Sequence, residues 1–399
     1  MGRSGFEARR SRDIHPPRTG NLGVDSTLAL LEASPLNQFS HWSQKGLSTV
    51  VQKKRFLSTV CALTLVFPLS ACNLASSGGG NEHVTLRLSH QWPGVNKQGE
   101  GDFRSVLAER FADEVRKRTN GDVDIQIYPN DSLIEDSEAQ YQAMMKGAVD
   151  MSVFPLDYAS GDVPQFSITL MPTMVRNHEE AQQWQHAEIG QRVEEIAEAN
   201  GAKVLTWVWN AGAVASKTQQ PIESPGDVPQ GSVTRAAGTY VEKMLERVGF
   251  GISSMSSSEI YNGMQTGVLD SAVTSTSSHS SYRLYEQVKS YTSPTGGNTF
   301  WFMFEPLIIS KKVFDQLTPE QQKIMEDVGQ ELQNFAYQAS EKDDMRVDKQ
   351  FSAAGVNVTP MDDQAFMAWR KVSKPVWQDF ATDVKGGAEL LELAQQATG

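Results

Sequence analysis

From residue 84 onward the apolar positions switch repeatedly between a period of two and a period near 3.6, the periods of a strand and of a helix. Val84–Ser89 (VTLRLS) alternates apolar and polar residues and predicts a strand. Residues 104–119 put Val106, Leu107, Phe111 and Val115 on one helical face, with Asn120-Gly121 as a stop. Val123–Tyr128 (VDIQIY) alternates strictly until Pro129-Asn130. The pattern then predicts a helix over 137–147, a short buried strand over 150–154, a helix over 179–200 closed by Gly201, and a strand over 203–209. A second series follows: strand 232–236, helix 240–248, strand 251–255, helix 259–267, strand Ser271–Ser275 and helix 280–288.

Residues 299–310 (TFWFMFEPLIIS) are long, apolar and broken by Pro306, so the run can leave one sheet and enter another. Thr318, Pro319 and Gln321 then form a helix start with a capping box. Ile324, Val328, Leu332, Phe335 and Ala339 keep one face apolar, and nothing stops this helix before Gly355. It is far longer than an average helix, which suits either a bridge between two domains or two helices with a bend. A strand over 356–361 and a helix over 362–384, with a bend expected at Pro375, complete the pattern. Alternating strands and helices predict an α/β fold, and 399 residues suffice for two domains.

The first eighty residues read differently. Lys53, Lys54 and Arg55 precede a twelve-residue apolar stretch, Phe56 to Phe67, too short to span a bilayer, and small residues follow. These are the parts of a bacterial secretory signal over 51–72. Its end, Leu69-Ser70-Ala71-Cys72, resembles a lipoprotein box and predicts lipidation of Cys72, the other reading being an ordinary signal cut nearby. Residues 73–82, with Ser76-Ser77-Gly78-Gly79-Gly80, predict a flexible tether. A signal belongs at the extreme N-terminus, so 1–50 is expected to be a non-native extension from a start site placed too early.

The net charge is −12. Loss of residues 1–71 would remove nine basic and four acidic residues, leaving 27 basic against 44 acidic, a net of −17. Such a chain lacks the basic face of a nucleic-acid binder. The two cysteines, Cys61 and Cys72, lie in the N-terminal segment, which excludes a disulfide scaffold or a cysteine-rich zinc site. No cofactor or metal is expected.

A search for catalytic motifs is largely negative. The sequence has no G-x-S-x-G elbow, no phosphate-binding loop and no H-E-x-x-H. His279, within Thr276–Ser281 (TSSHSS), could in principle pair with a serine nucleophile; a polar helix start is the simpler reading. The chain is therefore not expected to be an enzyme.

Residues 221–234 (PIESPGDVPQGSVT) followed by Arg235 carry the most informative motif. It continues as Ser258-Glu259-Ile260-Tyr261 and Gln265-Thr266-Gly267-Val268-Leu269-Asp270. Upstream lie the helix from Arg110, the strand with its Tyr128-Pro129 exit and Leu133, and Gly147-Ala148-Val149-Asp150; downstream lies Pro319-Glu320-Gln321-Gln322. In order and spacing these resemble the solute-binding proteins of TRAP (tripartite ATP-independent periplasmic) transporters, the dicarboxylate and organic-acid-binding family, over about residues 84–380.

The resemblance implies a two-domain periplasmic binding protein fold, type II-like, with a cleft between the domains and a long helix spanning both. The expected division is 83–211 plus 300–339 for domain I and 212–299 plus 340–399 for domain II. It implies a periplasmic receptor that closes on a small carboxylate by hinge motion and delivers it to the small and large membrane subunits of a permease. Membrane contact of its own would come only through a lipid on Cys72.

The resemblance makes Arg235 the carboxylate clamp. A guanidinium fork matches a carboxylate bidentately, and an acidic protein needs such a local cation to hold an anion. The same correspondence adds His90, Gln91 and Trp92 after the first strand, Phe154 and Pro155, Trp209 and Asn210 with Trp207, Gly238, Thr274, and Trp301 with Met303. Such residues suit a site at strand ends, where open α/β sheets bind ligands. The chain departs from sialic-acid-type members: Val214 stands where those carry a second arginine, Thr274 where they carry asparagine, and Pro155 at an acidic wall position. A small monocarboxylate is therefore expected, such as a 2-oxo, hydroxy or sugar acid; Lys217 or Arg283 could supply a second cation for a dicarboxylate. A binding module feeding a sensor or chemoreceptor is the alternative, a secreted hydrolase a remote one.

Overall fold

The computed structural model describes residues 83–398. The signal, Cys72, the tether and the start-site expectation lie outside the described residues.

In chain order the first half comprises β1 (Val84–Ser89), α1 (Phe103–Arg118), β2 (Val123–Tyr128), α2 (Gln140–Met145), β3 (Met151–Val153), α3 (His178–His186), α4 (Glu188–Ala199), β4 (Ala202–Thr206) and β5 (Trp209–Ser216). The second half comprises β6 (Val233–Ala236), α5 (Thr239–Arg247), β7 (Gly251–Ser254), α6 (Ile260–Thr266), β8 (Ser271–Ser275), α7 (Thr276–Ser281) and β9 (Ser290–Ser293), then β10 (Phe302–Phe304), β11 (Leu307–Ser310), α8 (Lys311–Phe314), α9 (Pro319–Ala353), β12 (Asn357–Pro360), α10 (Asp363–Asp383) and α11 (Gly387–Ala397).

The strands form two sheets. One has the order β2-β1-β3-β11-β4, the other β12-β9-β5-β8-β6-β7, with β10 paired to the start of β5. β1 runs parallel to β2 and β3, and β6 parallel to β7 and β8, so each set needs helical crossovers. Each sheet with its helices makes one α/β lobe. The apolar run 299–310 does change sheets: β10 pairs with β5 and β11 joins β3 and β4.

Three differences from the sequence reading have physical causes. The strand expected over 203–209 ends at Thr206, and Trp209 opens β5, which the sequence reading missed. All eight residues of β5 are buried, so this central strand has no alternating pattern to read. The helix expected over 179–200 is two helices, broken at the extended Ala187 (ψ 168°). A Cβ at Gly190 would stand 2.3 Å from the Trp184 carbonyl oxygen, so the chain folds back tightly there and buries both Trp184 and Ile189. In place of the helix expected over 280–288, α7 ends at Ser281, Arg283 takes the left-handed region, one short helical turn covers Leu284–Glu286, and the chain enters β9, whose hydroxyls bond to the carbonyls of Gln220 and Ile222 and hide its strand character.

α9 is one unbroken helix of 35 residues with the expected capping box. Its first half packs on α1 and β4, its second on α7 and β12, so it spans both lobes. Gly329 lets it approach β4: a Cβ there would stand 2.3 Å from Leu205 O, and Thr206 Oγ1 donates to Gly329 O at 3.1 Å. Met325 and Val328 bury apolar surface in the first lobe, Val347 and Phe351 in the second. Between them Ser340, Asp343 and Asp344 are buried polar groups. α10 packs on α5, whereas α11, absent from the sequence reading, returns to α3 and α4. No helix of the described residues is long and apolar enough to cross a membrane.

Candidate functional site

Arg235 is fully buried on β6. Its Nε donates to Met255 O at 2.9 Å and its Nη1 to Val273 O at 3.0 Å, both in its own lobe. Its Nη2 donates to the hydroxyl of Tyr158 at 2.9 Å, on the helical turn Leu156–Ala159 that follows β3 in the other lobe. These bonds use three of the five guanidinium donors. Among the described residues no carboxylate lies within ion-pair distance of Arg235, which makes it a buried cation without a direct ion-pair partner. The lobes meet around it: Ser257 Oγ donates to Gln91 Oε1 at 3.0 Å and Tyr282 OH to Gln91 O at 3.0 Å.

A depression of about 250 Å³ opens beside Tyr158, lined by Glu138, Asp157, Gly238 and Glu242 among others. Burial, with Glu242 and Glu138 adding to it and Ser167 opposing, pushes the Asp157 carboxyl up to about 7. Burial also raises Glu138 and Glu242, and the charge of Arg235 counters part of each rise.

The other expected residues cluster at strand ends, and apart from half-buried Gly238 all are buried. His90 follows β1; neither its ring nitrogens nor Ser89 Oγ have a hydrogen-bond partner among the described residues. Burial holds the His90 imidazole down at about 4, so it is neutral near pH 7. Trp92 Nε1 donates to Ser278 Oγ at 3.3 Å. Phe154 meets Tyr158 edge to face, with centroids 6.1 Å apart, and Pro155 leads into the Tyr158 turn. Gly238 caps α5 at φ 90°, where a Cβ would stand 3.0 Å from Asp157 Oδ2. Thr274 is buried opposite Ala213, one residue beyond the carbonyl that anchors Arg235. Met303 pairs with Asn210, and the Trp301 indole covers Gly212, where a Cβ would meet Cε3 at 2.3 Å. Trp301 Nε1 also lacks a partner among the described residues.

Other residues named from the sequence have partners of their own. Trp209 does not share a face with Asn210: alternation along β5 turns its ring into an aromatic cluster with Trp184, Trp207 and Phe304, while Asn210 donates to Glu305 at 3.3 Å. Trp207 is tied to Glu194 through its Nε1 at 2.6 Å. Lys217 donates to Met264 O at 2.5 Å, and exposed Arg283 pairs with Glu286, so neither cation is directed at Arg235. Val214 lies within β5 opposite Val273. His279 is buried, its Nδ1 lies 2.9 Å from Ser275 O, and its ring packs on Tyr291. Burial lowers it to about 4.

The sequence reading missed Arg104 and Tyr158. Arg104 is fully buried on α1 and paired with Asp102 at 2.6 Å and Glu305 at 2.7 Å, its guanidinium 3.8 Å from the Trp92 ring centroid. Burial opposes its charge, but the two carboxylates together hold its pKa above the ordinary value. Burial would raise Asp102; Arg104 and Ser281 more than offset it. The one available signal was position: Arg104, Leu107, Ala108 and Phe111 share a helical face, and that face is buried. Among the described residues no group of three or more His, Cys, Asp or Glu could hold a metal ion.

Two α/β lobes, joined by chain crossings after β4 and β10 and by α9, with a buried unpaired arginine where strand ends meet, define a two-lobed solute-binding protein. The chain belongs to the family described as bacterial extracellular solute-binding protein, family 7, whose profile matches residues 96–383. It is 39% identical over 329 residues to a solute-binding protein of Albidiferax ferrireducens, covering 82% of this chain and 96% of that one. The crystal structure of a TRAP periplasmic solute-binding protein from Rhodoferax ferrireducens with bound malonate is similar at a TM-score of 0.75 and 38% identity, covering 78% of this chain and 98% of that chain. The 2,3-diketo-L-gulonate-binding periplasmic protein of Escherichia coli is 25% identical over 300 residues, covering 74% of this chain and 88% of that one.

Proposed function

We propose that this protein is the extracytoplasmic receptor of a TRAP transporter, capturing a small organic acid between its lobes and delivering it to the membrane subunits of the permease. The observation that carries the ligand class is Arg235, a buried guanidinium with no carboxylate partner among the described residues and a contact from each lobe. A ligand carboxylate supplies the missing charge through a bidentate pair. Malonate in the 38% identical structure and a sugar acid in the name of the Escherichia coli relative support the same class. His90, Thr274, Asn210, Trp301 and Met303 serve as wall, and the chain crossings after β4 and β10 act as the hinge between the two lobes. Lipidation at Cys72 after export would tether the receptor in the periplasm.

A thermal-shift screen of malonate, hydroxy acids, 2-oxo acids and sugar acids tests this. A ligand at 100 times its dissociation constant stabilises the protein by ~2.7 kcal/mol. The expected result is a shift that Arg235→Ala abolishes. A shift that survives Arg235→Ala would overturn the clamp, and stabilisation by neutral sugars alone would overturn the ligand class.

A further inference from the structure

The segment TSSHSS is the helix α7, and it is buried although almost wholly polar. Its hydroxyls divide between two sets of partners. Thr276 Oγ1 donates to Asp344 at 2.6 Å, Ser277 Oγ to Asp343 at 2.5 Å and Ser280 Oγ to Gln350 at 2.6 Å, all on α9. The remaining hydroxyls meet the opposite lobe. Ser278 Oγ accepts from Trp92 Nε1 at 3.3 Å and from Arg104 Nη2 at 3.2 Å. Ser281 Oγ donates to Asp102 at 2.6 Å, and Ser275, just before the helix, accepts from Arg104 Nη1 at 3.1 Å.

This chemistry suits a contact that must open and close. Buried hydroxyls need partners, but water replaces those partners when the surfaces separate, so the net free energy per bond is small. Arg104 keeps Asp102 and Glu305 beside it whatever α7 does, because neither belongs to α7. At this seam, separation therefore exchanges serine contacts for water and leaves Arg104 with both of its carboxylates. An apolar plate would hold the lobes shut, and an ion pair across the seam would leave two charges to rehydrate.

We infer that α7 is the latch of lobe closure: a hydroxyl plate onto which Trp92 and the Asp102–Arg104 pair dock, with Arg104 as the positioning residue that sets the closed state. This rests on the hinge motion proposed above, but not on the identity of the ligand.

The test is interlobe distance in the ligand-free full-length chain. Cys61→Ser and Cys72→Ser remove the two native cysteines. Lys117→Cys on α1 and Val268→Cys after α6, both exposed, carry spin labels on opposite lobes for pulsed dipolar spectroscopy. Ser281→Ala is expected to raise the ratio of open to closed molecules roughly two- to tenfold, the worth of one hydrogen bond, and Ser278→Ala, which loses two, by at least as much. Arg104→Lys, which keeps the charge beside Asp102 and Glu305 but loses the fork, is expected to shift it in the same direction. Ser280→Ala, whose hydroxyl serves α9, is expected to leave the distances unchanged. Unchanged distances in Ser278→Ala and Ser281→Ala would overturn the latch, as would an equal shift in Ser280→Ala. No ligand enters the measurement, so a failure of every organic acid to bind would leave this result standing.

Discussion

Arg235 on one lobe donates from its guanidinium Nη2 to the phenol oxygen of Tyr158 on the other at 2.9 Å, one of several hydrogen bonds between the lobes. Tyr158 OH also accepts from Ser257 N at 3.3 Å. The cation is thereby held in a fixed orientation by two carbonyls of its own lobe and a hydroxyl of the other. Truncation by Arg235→Ala should weaken binding of whichever organic acid the thermal-shift screen identifies by about 2–5 kcal/mol, much of it from leaving a carboxylate buried and unpaired. Arg235→Lys should not rescue binding, since one ammonium cannot reach Met255 O, Val273 O and a carboxylate together. Calorimetric titration, with a circular dichroism melt to verify folding, checks both.

Gly238 is expected to be intolerant of any side chain. Its φ of 90° is strained for other residues, and a Cβ would stand 2.8 Å from Leu170 Cδ2 and 3.0 Å from Asp157 Oδ2. Strain of this kind amounts to about 1–3 kcal/mol. Gly238→Ala should lower the urea midpoint accordingly and shift α5, whose first turn it opens, away from the Tyr158 turn.

Asp157 should make stability depend on pH with a defined sign. Unfolded, its carboxyl titrates near 3.8; folded, burial and the neighbouring Glu242 and Glu138 place it at about 7. Between those values the native state holds a proton that the unfolded chain has lost, so stability falls as pH rises, and the penalty is complete above about 7. Asp157→Asn should therefore raise the melting temperature more at pH 8 than at pH 4. An equal gain at both would refute the assignment. His90 and His279 act with the opposite sign: burial lowers both to about 4, and their contribution is lost as pH falls from 6.5 towards 4.

Arg104→Ala should be among the most destabilising single changes in the chain. It leaves Asp102 and Glu305 buried without their cation, and breaking such a pair typically removes about 3–5 kcal/mol. Denaturant unfolding of Arg104→Ala beside Glu305→Gln measures this. The glutamine variant should lose less, since Arg104 keeps Asp102 as its counter-charge and the amide oxygen of glutamine can still accept from the guanidinium.

By itself the sequence determined the α/β class, because most strands and helices bury one face and show it as a period of two or 3.6. It determined the ends of α9 through Thr318, Gln321 and Gly355, since capping is local chemistry. It pointed to Arg235 because a motif of fixed spacing surrounds that residue. Tertiary structure decided what has no local signature. β5 and β9 show no period because β5 is buried on both faces and β9 spends its hydroxyls on distant carbonyls. Trp209 and Asn210 are neighbours in sequence and opposites in space, a separation that follows only once that stretch is a strand. Arg104, Tyr158 and the serines of α7 owe their roles to partners as many as 201 positions away along the chain, which no periodicity encodes.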